Sequence, residues 1–138
     1  MKFDKQPIVH MTKKVDFCIA HRLVNKDLSE AENIALYDKC YNPNGHGHNY
    51  ALEVTLKAPI SERTGMVMNF SILKTIIQDH VVELMDHKHL NEDVIHFKDL
   101  IPTAENVIVV IWQILQEQIA GNMLYKLVLR ETDVNIVE

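Results

Sequence analysis

Two stretches of the chain alternate between apolar and polar side chains, a pattern that an extended strand buries on one face. The longer stretch spans residues 46–57, and its predicted inner face carries His46, His48, Tyr50, Leu52, Val54 and Leu56. The other lies within residues 15–23, and its predicted inner face carries Val15, Phe17, Ile19, His21 and Leu23. We therefore expect two half-buried strands that carry histidines on their inner faces.

Helical spacing dominates the second half of the chain. Ser71 suits the N-cap of a helix whose apolar stripe ends near Met85. Thr103 suits the N-cap of a second helix, and Gly121 suits its C-terminal stop. Both helices have one apolar face, so both need a surface to cover.

Shorter elements are expected around these helices. The spacing of Ser29 and Glu32 is that of a capping box and predicts a brief helix, and a short strand is expected over residues 66–68. Alternation returns in residues 125–131, and a last short strand is expected over residues 134–137. The main elements therefore run strand, strand, two helices, strand, strand.

Sequential strands favour antiparallel pairing, and two amphipathic helices bury their apolar faces most simply on one face of the sheet. We predict an α+β fold with a four-stranded antiparallel sheet and two helices packed on one face. The chain of 138 residues suits a single domain over residues 1–138. Its 47% hydrophobic and 24% charged residues are the balance of an ordinary soluble globular protein.

Several classes of function are disfavoured by composition. The two cysteines are too few for a disulfide-stabilised secreted scaffold. No apolar run is long enough to span a membrane and the N-terminus lacks a signal-peptide pattern, so we expect a cytoplasmic protein. A formal net charge of -5 argues against nucleic acid as a partner.

The spacing of three histidines predicts a metal site. His46 and His48 are two apart in a predicted strand, so both imidazoles point to one face, and His21 lies on the matching face of the neighbouring strand. Three converging neutral imidazoles, with glycines clearing space beside them, are typical of a Zn²⁺ site with an open coordination position. The alternative is a set of core histidines bonded to backbone. Three further histidines are expected to be solvated: His80, His89 and His96.

The two cysteines differ in their surroundings. Cys40 lies six residues before His46 in a turn-rich approach. A divalent cation nearby can lower the pKa of such a thiol and make it a base or a nucleophile. Cys18 lies between Phe17 and Ile19, and we expect it to act as a small buried hydrophobe.

Two carboxylates have positions that suit chemistry. Asp86 precedes His87 after the first long helix, where a carboxylate can orient an imidazole, although polar residues also crowd helix ends without any such role. Glu131 lies on the apolar face of the strand predicted within residues 125–131. It is therefore either already in solvent or a bidentate acceptor for the paired N–H edge of a heterocycle.

Six segments follow one another across nearly the whole chain in an order that is specific as a set. They are residues 17–23 (FCIAHRL), 40–50 (CYNPNGHGHNY), 65–70 (GMVMNF), 84–90 (LMDHKHL), 102–107 (PTAENV) and 131–137 (ETDVNIV). Together they resemble the 6-pyruvoyl-tetrahydropterin synthase family. A lone HGH would be a weak signal, whereas the complete ordered set is a strong one.

The resemblance implies a tunnelling fold, in which four-stranded sheets associate into a barrel-forming trimer and two trimers stack as a homohexamer. It implies a lyase that converts the small molecule 7,8-dihydroneopterin triphosphate to 6-pyruvoyl-tetrahydropterin in tetrahydrobiopterin biosynthesis, with elimination of triphosphate. His21, His46 and His48 would hold Zn²⁺ as the cofactor, and Cys40 would abstract a carbon-bound proton. A lone subunit would then be an incomplete enzyme.

The resemblance also assigns the remaining site residues. Asp86 and His87 would relay protons with Glu131, which would also anchor the pterin N–H edge. The segment at Thr103 would supply backbone contacts to the substrate. Two basic residues near the motifs are candidates to meet the triphosphate: Arg22 and Lys39.

Two departures and three alternatives accompany this interpretation. Residues 18–20 (CIA) stand where small or hydroxyl residues are usual, and Ala104 replaces a frequent Ser or Thr, which affects only the expected shape of the pocket.

A 6-carboxytetrahydropterin synthase of the queuosine pathway is one alternative; the Asn-Pro-Asn-Gly approach and residues 133–137 favour the pyruvoyl branch. A branch that cleaves the substrate side chain carries glutamate in place of Cys40. A structural zinc-binding domain without catalysis is the third.

Overall fold

The computed structural model describes residues 4–138, and two long antiparallel strands form its centre. They are β1 (Ile8–His21) and β2 (His46–Pro59), paired over their full lengths. Alternate side chains of both strands are buried, as the sequence pattern predicts, and at the inner end of β1 these are Phe17, Ile19 and His21. The register therefore brings the histidine-bearing ends of both strands together.

Three shorter strands extend the sheet on both sides. β4 (Leu124–Arg130) pairs antiparallel with β2, and β5 (Ile136–Val137) pairs antiparallel with β4. β3 (Lys88–His89) pairs parallel with the end of β1. The order is β3-β1-β2-β4-β5. Four antiparallel strands were predicted, whereas the sheet has five and is mixed, because a two-residue bridge was too short to leave a sequence pattern.

The helices lie between β1 and β4 in the chain. They are α1 (Glu30–Tyr37), α2 (Phe70–Ile77), α3 (Glu83–Met85), α4 (Leu90–Asp93) and α5 (Ala104–Gln118). A π-helical turn, Gln78–Val82, joins α2 to α3 without a break. Three 3₁₀ turns complete the helical structure: Asp38–Tyr41, Ile95–Phe97 and Ala120–Asn122.

One face of the sheet carries the core, and the two main helices cover it. Leu52 and Val54 of β2 belong to the same buried cluster as Leu73 of α2 and Ile111 of α5. The opposite face holds exposed polar pairs such as Thr12 and Thr55, whose hydroxyl oxygens lie 2.8 Å apart. The predicted α+β arrangement of one sheet and one helical layer is confirmed.

Several boundaries differ from the sequence-based expectation. The side chain of Asn69, rather than Ser71, caps α2, because Asn69 Oδ1 accepts the backbone N–H of Ser71. Residues 66–68 form bends and not a strand. α5 ends at Gln118, and Gly121 lies in the next turn with a φ of 73°. These are local choices of hydrogen-bond partner that hydrophobic periodicity does not encode.

Two expectations about caps are correct. The Ser29 and Glu32 side chains form the complete capping box of α1. The Thr103 side chain accepts the backbone N–H of Asn106 at the start of α5. Among the helices of the described residues, none is both long and apolar enough to cross a membrane.

Candidate active site

Three imidazoles converge where β1 and β2 end together. His21 is paired with His46 across the strands, and His48 lies two residues further along the same face. Each ring offers a nitrogen, and these three atoms lie within 4.8 Å of one another. The Nε2 atoms of His21 and His46 are 3.1 Å apart. The predicted grouping of the three histidines is therefore present in the fold.

The backbone fixes the tautomer of His21. Its Nδ1 lies 2.8 Å from the carbonyl oxygen of Pro102, which can only accept a hydrogen bond, so Nδ1 carries the proton and Nε2 keeps its lone pair. Burial lowers the pKa of His21 to about 4. Burial also lowers the pKa of His46. Neutral imidazoles with lone pairs facing one another are the form that binds a metal.

The turn before β2 depends on a glycine. Gly45 has a φ of 70°, and a Cβ there would lie 2.7 Å from Nε2 of His89 and 2.8 Å from the carbonyl oxygen of His21. His89 is therefore packed against the histidine turn, and its Nδ1 is buried without a hydrogen-bond partner in the described part of the chain. The expectation that His89 is simply solvated is wrong, because β3 places it beside the end of β1.

Glu131 faces the same cluster. β4 ends at Arg130, and the next residue turns its carboxylate inward, with Oε1 3.9 Å from Nε2 of His21 and 3.7 Å from Nε2 of His48. The hydroxyl of Tyr50 donates to the same oxygen at 3.4 Å. The Glu131 side chain is only 20% exposed, so of the two sequence-based alternatives, the inward carboxylate is the one adopted.

Cys40 lies in the 3₁₀ turn Asp38–Tyr41, which is bound to the end of β1. The backbone N–H of Leu23 donates to the Cys40 carbonyl oxygen at 2.8 Å, and Arg22 Nε donates to the Tyr41 carbonyl oxygen at 3.0 Å. The Arg22 guanidinium also lies 4.3 Å from the centre of the Tyr41 ring. Arg22 thus holds the cysteine turn in place, a role that its position near the motifs did not reveal.

The thiol of Cys40 is held in its neutral form in the isolated chain. Partial burial raises the pKa of Cys40, and the negative charges of Glu131 and Asp38 raise it further. A thiolate at this position therefore needs a compensating positive charge or a base close by.

One cavity is lined by several of these groups. It has a volume of about 500 Å³, and its lining includes His21, Cys40, Thr103 and Glu131. The remaining wall comes mainly from residues 134–137 after β4. The cavity therefore combines a metal-binding type of residue, a thiol, a carboxylate and the N-terminus of α5.

The sequence of this chain matches that of known proteins over almost its whole length. The sequence model of 6-pyruvoyl tetrahydropterin synthase matches residues 10–138. The Homo sapiens 6-pyruvoyl tetrahydrobiopterin synthase is 46% identical over 127 residues, which are 92% of this chain and 88% of that protein. The chain belongs to the 6-pyruvoyl tetrahydropterin synthase family.

The fold of the family is shared as well. The structure of the Caenorhabditis elegans 6-pyruvoyl tetrahydropterin synthase superposes with a TM-score of 0.92 at 38% identity, covering 98% of this chain and 96% of that one. A 6-carboxy-5,6,7,8-tetrahydropterin synthase from Rickettsia bellii is 27% identical over 116 residues, 72% of this chain and 75% of that protein. The similarity is thus greater to the pyruvoyl relatives.

The histidine cluster fits the metal that this family implies. Three imidazole nitrogens lie within 4.8 Å of one another, and Nδ1 of His21 is already bonded to a backbone carbonyl, the arrangement that orients metal-ligating histidines. The buried Nδ1 of His46 has no partner among the described residues. The cluster is compatible with a bound metal ion.

Asp86 and His87 are not part of the Cys40 cavity. Neither residue is among those that line it. They follow α3 instead, where Asp86 Oδ2 lies 2.9 Å from His87 Nδ1 and the His87 side chain is 79% exposed. A single chain of this family member therefore brings together six of the predicted site residues and leaves the Asp86 and His87 pair outside.

Three contributors to the site were missed by sequence reasoning. Tyr50 lies on the same strand face as His46 and His48, so its position in the alternating pattern could have indicated a place in the site. The carbonyl of Pro102 and the packing of His89 left no signal, because both arise from segments distant in sequence.

Proposed function

We propose that this chain converts 7,8-dihydroneopterin triphosphate to 6-pyruvoyl-tetrahydropterin and triphosphate, with Zn²⁺ as its metal. As a member of the 6-pyruvoyl tetrahydropterin synthase family, the chain is a lyase of tetrahydrobiopterin synthesis. The observation that carries the proposal is the cavity that Cys40 and Glu131 share with His21 of the histidine cluster. It combines the groups needed to bind a pterin and to remove a proton from carbon.

His21, His46 and His48 would hold the metal. Bound Zn²⁺ supplies a Lewis acid that polarises hydroxyls on the substrate side chain and acidifies the neighbouring C–H bonds. The low pKa of His21 and His46 keeps both rings neutral at pH 7, so protons do not compete with the metal there.

Cys40 would act as the base. Its thiolate takes a carbon-bound proton of the substrate side chain, and triphosphate leaves with the electron pair of the C–O bond. Tautomerisation then moves two reducing equivalents from the side chain to the pterin ring, so no external reductant is needed. Because the isolated chain favours the neutral thiol, a base must first accept the thiol proton.

Glu131 and Thr103 would orient the substrate. The Glu131 carboxylate can accept two hydrogen bonds from the paired N–H edge of the pterin, a charge-assisted arrangement that fixes both position and orientation. Tyr50 and the two nearby imidazoles restrict its rotation. Thr103 lies at the N-cap of α5, at the wall of the same cavity.

The Asp86 and His87 pair would complete the site from a neighbouring subunit of a homohexamer built as a dimer of trimers. The His87 side chain faces solvent in the single chain, and Asp86, 2.9 Å away, would orient the imidazole that accepts the Cys40 proton. Sheet edges support the assembly: within residues 4–138, β3 pairs with β1 only at Ile19 and Ala20 and leaves most of that edge without a strand partner.

The proposal also covers domain organisation and cellular location. The core residues form one contiguous cluster, in keeping with a single domain over residues 1–138. We also propose a cytoplasmic location without a membrane or nucleic-acid partner, because the proposed substrate and product are soluble small molecules.

Product analysis tests the function directly. Purified protein loaded with Zn²⁺ and incubated with 7,8-dihydroneopterin triphosphate should release triphosphate and 6-pyruvoyl-tetrahydropterin, identified by chromatography. Formation of a carboxytetrahydropterin with acetaldehyde would assign the chain to the other branch. Absence of turnover in protein that binds one Zn²⁺ per chain would indicate a structural zinc domain.

The assigned base is tested by Cys40→Ala. This variant should keep its metal content and fold while turnover falls by about 10²-fold or more, the range of a lost general base. His80→Ala, an exposed histidine outside the cavity, is the control and should retain turnover. Full activity in Cys40→Ala would refute the assignment.

A further inference from the structure

Three side chains meet at the edge of β1, away from the histidine cluster. Cys18 alternates with Ile19 and His21, so its side chain lies on the opposite face of the strand. The backbone N–H of Cys18 donates to Asp86 Oδ1 at 2.9 Å, and the backbone N–H of His87 donates to the Cys18 carbonyl oxygen at 2.8 Å. Cys18 is half-buried beside Asp86 and His87, so the expectation that it acts as a small buried hydrophobe is wrong.

The three side chains offer one ligand atom each. The thiol of Cys18, the carboxylate of Asp86 and the imidazole of His87 place these atoms within 4.8 Å of one another. Sulfur, nitrogen and oxygen from Cys, His and Asp are the donors that Zn²⁺ takes, whereas Mg²⁺ and Ca²⁺ prefer oxygen alone. The donor set therefore selects a cation of the zinc class.

The group is also ready to bind and open to solvent. The hydrogen bond from the Cys18 backbone lowers the pKa of Asp86, so its carboxylate is ionised at neutral pH and still has free lone pairs. His87 has a φ of 58°, which directs its ring beside Asp86, and its side chain is 79% exposed. In the single chain, an ion can reach these ligands from solvent without any rearrangement of the core.

We propose that Cys18, Asp86 and His87 form a second metal site, which takes Zn²⁺ or a similar divalent cation more weakly than the histidine cluster. Three protein ligands leave the other positions to water. The site is weaker because two of its ligands are half-buried, the third is exposed, and an Asp86 oxygen already accepts a hydrogen bond.

The site has a regulatory consequence, which rests on the proposed function. A cation held there engages Asp86 and His87, and their proton transfer with a neighbouring Cys40 then stops. Zinc is thus required at the histidine cluster and inhibitory in excess. Cys18 belongs to the second site alone, so a change at Cys18 should affect the inhibition by excess zinc and not the catalytic groups.

Metal binding is measured first, and without substrate. Protein carrying one Zn²⁺ per chain is titrated with Co²⁺, whose bonds to thiolate give a charge-transfer band in the near ultraviolet. The wild-type chain should bind a second equivalent and show this band. Cys18→Ser should lose the band and bind the second equivalent about tenfold more weakly or worse, since even indirect ligand changes cost that much.

Cys40→Ser is the matched control, because it removes the other thiol. It should keep the band and the second equivalent. A wild-type chain that binds no second ion, a Cys18→Ser variant that binds it as tightly as wild type, or a band that disappears only in Cys40→Ser would each overturn the site. Circular dichroism checks that the serine variants remain folded.

Inhibition is measured second, in the Zn²⁺-loaded enzyme. Added Zn²⁺ should reduce turnover of the wild type, and the rate of Cys18→Ser, relative to its own rate without added metal, should resist the same concentrations. Equal inhibition of both would overturn the regulatory role. If no variant turns over the substrate, the proposed function fails while the binding titration still decides whether the site exists.

Discussion

At the scale of single residues, the chemistry of the cavity depends on how Glu131 and Cys40 act on each other. The Glu131 carboxylate is one of the causes that raise the pKa of Cys40, and it is also the proposed anchor for the substrate. The two roles are linked, because a pterin whose N–H groups bind the carboxylate partly neutralises its field. Substrate binding would then favour the thiolate that the isolated chain disfavours.

Removing the Glu131 charge tests this link. Glu131→Gln should lower the pKa of the Cys40 thiol and at the same time reduce turnover, because the substrate loses its charged acceptor. Thiol alkylation rates against pH report the pKa, measured in a Cys18→Ser background so that only Cys40 reacts. Asp38→Asn, which removes the other negative charge, should lower this pKa while turnover persists. An unchanged pKa in Glu131→Gln would contradict the electrostatic account.

His21 predicts a pH dependence of stability. Its folded pKa of about 4 lies below the unfolded value of 6.5, so the unfolded chain binds more protons between these values and stability is lost as the pH falls. In metal-free protein, this group should cost about 3 kcal/mol between pH 6.5 and 4. Urea unfolding of wild type and His21→Gln across this range isolates the effect as a pH-dependent difference. A constant difference would contradict it.

At the scale of elements, the turn from Gly45 into β2 decides whether the histidines meet. The backbone there has a positive φ, and the space a side chain would need is taken by His89 and the His21 carbonyl. His89 arrives through β3, which follows the long helical segment. The convergence of the histidines thus depends on the packing of two segments that the sequence keeps far apart.

Gly45→Ala and Gly65→Ala form a matched pair. Both glycines have a φ of 70°, but a Cβ at Gly65 would meet no atom of the described residues within 4 Å. Gly65→Ala should therefore lower the free energy of unfolding by only about 1–2 kcal/mol, through backbone strain. Gly45→Ala should lower the free energy of unfolding further and bind less Zn²⁺. The added Cβ would clash with His89 and the His21 carbonyl and push β2 away from β1. Chemical denaturation and metal analysis give both quantities, and equal effects of the two changes would exclude the steric argument.

At the scale of the whole molecule, the described part of the chain has long sheet edges without strand partners. β1 is 14 residues long, yet only two of its residues pair with β3, and β5 covers only two residues of β4. Free edges of this length are completed by other strands. In the proposed assembly, a second copy of the chain would pair with such an edge and would also bring Asp86 and His87 toward a cavity.

Subunit mixing tests the shared site. Cys40→Ala and His87→Ala should each be almost inactive alone, and co-refolded mixtures should regain part of the wild-type turnover, because one chain supplies the thiol and another the imidazole. Sedimentation should give about 95 kDa, from six chains of 15.9 kDa. The double variant Cys40→Ala/His87→Ala mixed with either single variant serves as the control, and recovery there would contradict a shared site. Mixtures without any recovery would place the complete site within one chain.

The sequence by itself determined the two long strands, the caps of α1 and α5 and the common face of His21, His46 and His48, because period-two alternation and capping chemistry are local. It also indicated the family, since the six motifs can be recognised in order from the sequence alone. Only the tertiary structure decided that Pro102 fixes the His21 tautomer, that Arg22 holds the Cys40 turn, and that Cys18 lies against Asp86 and His87. Each of these contacts joins segments distant along the chain, and its geometry is set by packing and hydrogen bonding that no local pattern records.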